Sequence, residues 1–234
     1  MTQRKISQII LGAGRPYKGN QNTALKKVSS KTRVLDWIMQ AAKYLNPEVH
    51  FVAGFQMNEI VSRYPNLHYT INSKWSSTGP VISLLETKVA DNSQCIVSYG
   101  DILFREKTVK ELINSDSDVS IAVDSRWKER YSTRTLEDIN NSEKVVISGD
   151  EMTNAGSHIS SDIANAEFIG LLTLKPKAMK FLQQNSKSFK LNFSQANLTS
   201  LLEFLLKSGF VIKVVDVAGD WAELNEAHDL VNFI

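Results

Sequence analysis

The chain has 234 residues, 42% of them hydrophobic and 22% charged, with a formal net charge of +2. A chain of this size can bury a full core in one large domain. The near balance of charge excludes a strong field for nucleic acid or membrane, so any basic site has to be local.

Residues 6–11 predict a first strand that runs into a loop lasting to about Ser30. A helix is expected over 33–45, where Val34, Ile38, Ala41, Ala42 and Leu45 share a face and Asn46-Pro47 ends it. A strand over 49–53, a short helix over 57–63 and a strand over 67–71 follow. Residues 73–79 form a polar turn, and Pro80 starts a helix expected to reach Ala90. A strand over 95–99 contains Cys95, the only cysteine, which excludes an internal disulfide and fits a reducing compartment. A helix over 108–114 and a strand over 119–123 complete the regular pattern. Beyond Asp124, strands are expected at 145–147, 168–174 and 210–217, and helices at 176–184 and 198–207. The interval 149–165 reads as loop, and a short helix is expected at the end.

Short apolar strands alternating with amphipathic helices predict an α/β fold, a Rossmann-like, mostly parallel sheet with helices on both faces. The whole chain reads as one domain, with 125–175 as a cap over the acceptor side. Ligands of such sheets bind at the carboxyl ends of strands. Gly12 to Arg15 and Gly100-Asp101 lie past two such ends and are expected to share a site. No stretch approaches membrane-span length, and no signal-like apolar run follows Met1 to Lys5. The expected location is cytoplasmic. His50, His68, His158 and His228 share no metal-ligand spacing.

The first loop, Leu11-Gly12-Ala13-Gly14-Arg15-Pro16-Tyr17-Lys18-Gly19-Asn20, suits a phosphate, because glycine admits close backbone approach and its N–H groups can cradle anions. It is not a dinucleotide fingerprint, since Tyr17 stands at the third glycine position. Nor is it a P-loop, since Asn20 and Gln21 follow Gly19 where Lys and Ser/Thr are needed.

Four stretches in order carry a resemblance. They are the loop with its later Leu25 and Val28; Lys74-Trp75-Ser76-Ser77-Thr78-Gly79-Pro80 with Ser83-Leu84-Leu85; Tyr99-Gly100-Asp101-Ile102-Leu103; and Trp221-Ala222-Glu223-Leu224-Asn225. Together they resemble the nucleotidyltransferase superfamily of sugar-1-phosphate and phosphocholine cytidylyltransferases, over nearly the whole chain. Thr23-Ala24-Leu25, Arg33-Val34-Leu35-Asp36-Trp37 and the Trp-Ala-Glu ending resemble the phosphonate cytidylyltransferases in particular, including the domain fused to phosphoenolpyruvate mutase.

The resemblance implies CTP and a small phosphonate as substrates and Mg²⁺ as cofactor. It leaves phosphocholine, a sugar 1-phosphate and a non-catalytic nucleotide-binding domain as alternatives. It implies no nucleic-acid partner and is compatible with a homodimer. By it, Leu11, Gly12, Ala13 and Gly14 cradle base and ribose, and Gly79, Pro80 and Ser83 close over cytosine beside Gly100. Arg15 and Lys18 lie on the triphosphate. The family's usual Pro-Lys is replaced by Asn22-Thr23, and Lys26 is the chosen substitute ahead of Lys27. Asp101 corresponds to the metal-binding aspartate. Glu223 is the second carboxylate, and Asn225 stands where relatives commonly carry aspartate, so Glu223, Asn225 or both would touch the metal; Asp216 is a weaker choice. For the acceptor, Arg126, Lys128, Arg130 and Arg134 form a basic stretch beside Trp127 and Tyr131. Arginine matches phosphonate oxygens bidentately. Glu167, or else Asp162, would pair with an ammonium group on the acceptor.

Overall fold

The computed structural model describes residues 5–16, 19–131, 135–224 and 233. Lys18, Arg134, Asn225, His228 and the expected terminal helix lie outside these residues.

The strands are β1 (Lys5–Leu11), β2 (Glu48–Ala53), β3 (His68–Ile71), β4 (Ser93–Tyr99), β5 (Ile102–Leu103), β6 (Val119–Asp124), β7 (Lys144–Ser148), β8 (Glu151–Ala155), β9 (Ala166–Leu174), β10 (Ile212–Asp216) and β11 (Ala222–Glu223). The helices are α1 (Val34–Ala42), α2 (Met57–Arg63), α3 (Pro80–Glu86), α4 (Glu106–Asn114), α5 (Trp127–Arg130), α6 (Leu136–Asn141), α7 (Pro176–Gln184), α8 (Ser186–Asn192) and α9 (Leu198–Lys207). Helix ends follow local chemistry. Pro80 and Pro176 open α3 and α7, Thr135 and Asp138 form a capping box on α6, and the Asn197 side chain caps α9.

Nine strands form one sheet in the order β3-β2-β1-β4-β9-β6-β10-β8-β7. β1 to β4 pair in parallel, as do β6 and β10, while β9 runs antiparallel between β4 and β6. Alternation along β1 divides the core. Ile9 and Leu11 enter the layer with α3, α7 and α9; Ile10 enters the opposite layer with α1 and α4. Every residue of β9 is buried, as a strand covered on both faces should be.

Two expectations are corrected, the end of α3 and the interval 149–165. α3 ends at Glu86 rather than Ala90. The interval 149–165 contains β8, whose exposed polar residues hide a strand because only Met152 and Ala155 face the core. The interval 125–175 supplies α5 and α6, and also β7, β8 and β9 of the central sheet. Among the described residues, no helix is long and apolar enough to cross a membrane.

Candidate active site: two clefts meeting at Asp101

The parallel strands β1, β3 and β4 deliver their carboxyl ends to one cleft of about 210 Å³. Leu11, Gly12, Ala13, Gly14 and Arg15 line one side of it. Gly79, Pro80 and Ser83 line another, and Gly100 and Asp101 form the floor. Thus the described residues assigned from the sequence to the nucleotide meet here, with the exception of Lys26. Gly12 has no alternative: a Cβ there would lie 2.2 Å from Phe51 Cζ. Its partner Gly100 packs against it, with a Cβ position 3.0 Å from Gly12 Cα, so the two strand ends close on each other.

Two buried asparagines hold the cleft walls. Asn22 donates from Nδ2 to the Gly12 carbonyl at 2.9 Å and the Phe55 carbonyl at 3.1 Å, and accepts from the Ala24 N–H. The residue that replaces the family's proline therefore fastens the first loop to the rest of the sheet. Asn72 donates to Thr78 Oγ1 at 2.9 Å and Ser83 Oγ at 3.0 Å, setting the turn that precedes α3. Asn72, Trp75, Thr78 and Tyr99 line the cleft and were missed in the sequence. Asn72 and Tyr99 sit at the ends of β3 and β4, so the strand-end rule would have found both.

Arg15 is exposed, donates to Asn20 Oδ1 at 2.9 Å and lies against the Phe55 ring. Lys26 does not line this cleft. Its Nζ donates to the Leu224 carbonyl at 3.1 Å, and its charge favours ionisation of Asp101. Lys27 is exposed.

A second cleft, of about 280 Å³, adjoins the first at Tyr99. Tyr131 and Glu167, assigned to the acceptor from the sequence, line it, together with Glu223, Asp138, Glu143 and Trp221; Arg130 does not line it. The Tyr131 hydroxyl donates to Glu167 Oε1 at 2.5 Å, and Arg130 pairs with Glu167 Oε2 at 3.4 Å while stacking over the Trp221 ring at 3.8 Å. The Tyr99 hydroxyl donates to both oxygens of Glu143, at 3.0 and 3.1 Å. Burial pushes the Glu143 carboxyl up to about 8, against the Tyr99 bond and with help from Glu223, Glu167 and Asp101. Burial also pushes Glu167 up to about 7, although Arg130 and Tyr131 oppose it. Glu143 and Asp138 lie in a polar stretch that carries no sequence signal for a site.

Other expected acceptor residues lie elsewhere. Arg126 is exposed, pairs with Glu129 at 2.6 Å and lines neither cleft. Spaced three apart on one short helix, the two side chains satisfy each other. Lys128, His158 and Asp162 are exposed and line neither cleft. Asp216 accepts from Ser125 N, Ser125 Oγ and Ala218 N, so it holds a turn.

Asp101 lines the first cleft and is tied through β5 and β11 to Glu223, which lines the second. β11 pairs antiparallel with β5, setting Glu223 opposite Ile102, and the Leu224 N–H donates to the Asp101 carbonyl at 2.8 Å. Asp101 Oδ1 is buried without a hydrogen-bond partner. Burial, then the neighbouring Glu223 charge, pushes the Asp101 carboxyl up. Among the described residues, no group of three or more His, Cys, Asp or Glu side chains is placed to hold a metal. Two carboxylates with a bare oxygen nonetheless form the donor set that Mg²⁺ takes when substrate phosphates and water fill its remaining positions.

This architecture is the mixed α/β fold of solved nucleotidyltransferases. The sequence is 24% identical, over 251 aligned positions, to the CTP:phosphoglutamine cytidylyltransferase of Campylobacter jejuni, covering 96% of this chain and 98% of that protein. The inositol-1-phosphate CTP transferase of T. maritima superposes with a TM-score of 0.71 at 18% identity, over 96% of this chain and 91% of its own. HddC of Yersinia pseudotuberculosis, solved with GMP-PN, superposes with a TM-score of 0.67 at 13% identity, over 97% and 96% of the two chains. No protein-family model matches the chain.

Proposed function

We propose that this protein is a Mg²⁺-dependent cytidylyltransferase of the cytoplasm that transfers CMP from CTP to a small phosphonate, releasing pyrophosphate. The observation that carries the reading is the position of Asp101 and Glu223 between a glycine-lined cleft and a second cleft of its own. The full-length similarity to a protein named for CTP supports the nucleotide.

In the reaction, an acceptor oxygen bonds to the α-phosphorus of CTP and the bond to the β-phosphate oxygen breaks. The chain's task is to position two anions that repel each other. The Leu11–Gly14 backbone and the Asn72-set turn hold the nucleoside in the first cleft. Arg15 is placed at its mouth for the polyphosphate. Asp101 and Glu223 would hold Mg²⁺, which when bound neutralises phosphate charge at the junction. Glu167 and Tyr131 orient the acceptor in the second cleft, and Arg130 holds Glu167 through their ion pair.

A phosphate ester or phosphoramidate in place of the phosphonate is the second reading, favoured by the acceptor in the name of the Campylobacter relative. The test is pyrophosphate release with CTP, Mg²⁺ and, in turn, 2-aminoethylphosphonate, 2-hydroxyethylphosphonate, phosphocholine, phosphoglutamine and glucose 1-phosphate. Release with a phosphonate alone is expected. Release with another member alone keeps the reaction and overturns the acceptor. CTP binding without release from any member overturns the catalytic reading.

A further inference from the structure

One buried carboxylate outside both clefts touches the scaffolding of each side of the junction. Asp124 ends β6 and has no exposed surface. Its Oδ2 accepts the Trp221 indole N–H at 2.8 Å, and its Oδ1 accepts the Arg126 backbone N–H at 2.9 Å. Trp221 immediately precedes β11, the strand that carries Glu223 alongside Asp101. The same indole is the plate on which the Arg130 guanidinium lies, at 3.8 Å. The Arg126 N–H opens the helix that brings Arg130 and Tyr131 to Glu167.

The backbone explains why an acid is placed here. The register of β6 on β9 slips between Ile121 and Val123, and the slip leaves Asp124 opposite Glu167. Like charges directly opposite one another on an antiparallel pair are unfavourable. The two carboxylates divide the available donors: Asp124 takes Trp221 and Arg126, and Glu167 takes Tyr131 and Arg130.

We infer that Asp124 is a positioning residue for the proposed reaction: by fixing the Trp221 indole, it seats together the strand bearing Glu223 and the arginine that pairs with Glu167 of the second cleft. The inference rests on the proposed function for its chemistry, but its mechanical content can be read without turnover. The Leu224 amide donates to the Asp101 carbonyl and reports the seating of β11; the Gly100 amide donates to the Leu11 carbonyl at 3.0 Å and reports the first cleft.

The experiment is amide hydrogen exchange on the full chain, comparing wild type with Asp124→Asn and Trp221→Phe. The asparagine keeps the size of the side chain but cannot accept from both donors; the phenylalanine keeps a ring but removes the N–H. Each is expected to speed exchange at Leu224 about tenfold, the scale of one lost charge-assisted hydrogen bond, with Gly100 unchanged. The double variant is expected to be less harmful than the sum of the two single ones, because the Trp221–Asp124 bond is common to both. Where an acceptor is turned over, its KM should rise about tenfold in both variants while the KM for CTP stays within about twofold. Equal acceleration at Leu224 and Gly100 would show only a loss of global stability and overturn the inference. Unchanged exchange at Leu224, or additive effects of the two substitutions, would overturn it as well. Absence of turnover in the wild type would count against the proposed function alone, since the exchange result stands separately.

Discussion

Glu143 shows how one residue links stability to the chemistry of the second cleft. Its ordinary value is 4.5, and in the fold it rises to about 8 because the carboxylate is desolvated among Tyr99, Glu167, Glu223 and Asp101. Between those values the folded protein keeps a proton that the unfolded chain has released. Stability contributed by this group therefore falls as pH rises from 4.5 to about 8, and changes no further above that. Glu167, raised to about 7, adds in the same direction. Melting temperature measured from about pH 5 to about pH 8 should decline, and Glu143→Gln should flatten part of that decline while keeping an acceptor for Tyr99. An unchanged slope in the variant would show that Glu143 ionises in the fold as it does in water.

At the scale of elements, the first loop separates two roles of glycine. Gly12→Ala drives a methyl into the Phe51 ring, so it should cost about 1–3 kcal/mol and lower the melting temperature by roughly 2–10 °C. Gly14→Ala meets no protein atom within 4 Å, so stability should stay within about 0.5 kcal/mol, and the effect should appear in CTP affinity instead. Differential scanning calorimetry with a CTP titration distinguishes them; equal destabilisation by both would contradict this division.

The same scale shows what the sequence made legible. β1, β4 and β9 were readable from the short apolar runs within them, Ile9 to Leu11, Cys95 to Val97 and Leu171 to Leu172 with Phe168 and Ile169, as strands buried on both faces carry. The junction at Asp101 was readable because Gly100 and Asp101 follow such a run directly. β8 was not, since it lies near the sheet edge with three of its five residues exposed. Arg126 looked equivalent to Arg130 in a basic stretch, yet one helical turn separates a surface pair with Glu129 from a stack on Trp221. The bond from Trp221 to Asp124 spans 97 positions and depends on a slipped strand register, for which no local pattern exists.

For the whole molecule, the sheet order places the reaction between parts of the chain that are distant in sequence. β1 and β4 bring Gly12 and Gly100 together in the first cleft, β9 carries Glu167 into the second, and β11 returns to set Glu223 beside β5 next to Asp101. The two clefts thus share Tyr99, with Asp101 lining the first and Glu223 the second. The measurement that tests this account most directly is pyrophosphate release from CTP and the best acceptor by wild type and Asp101→Ala, each with Mg²⁺ and with chelator. Wild type should turn over only with Mg²⁺, and the variant should lose at least about a hundredfold while its melting curve stays cooperative. Undiminished release by folded Asp101→Ala, or by wild type in chelator, would contradict the assignment of the junction as the reacting site.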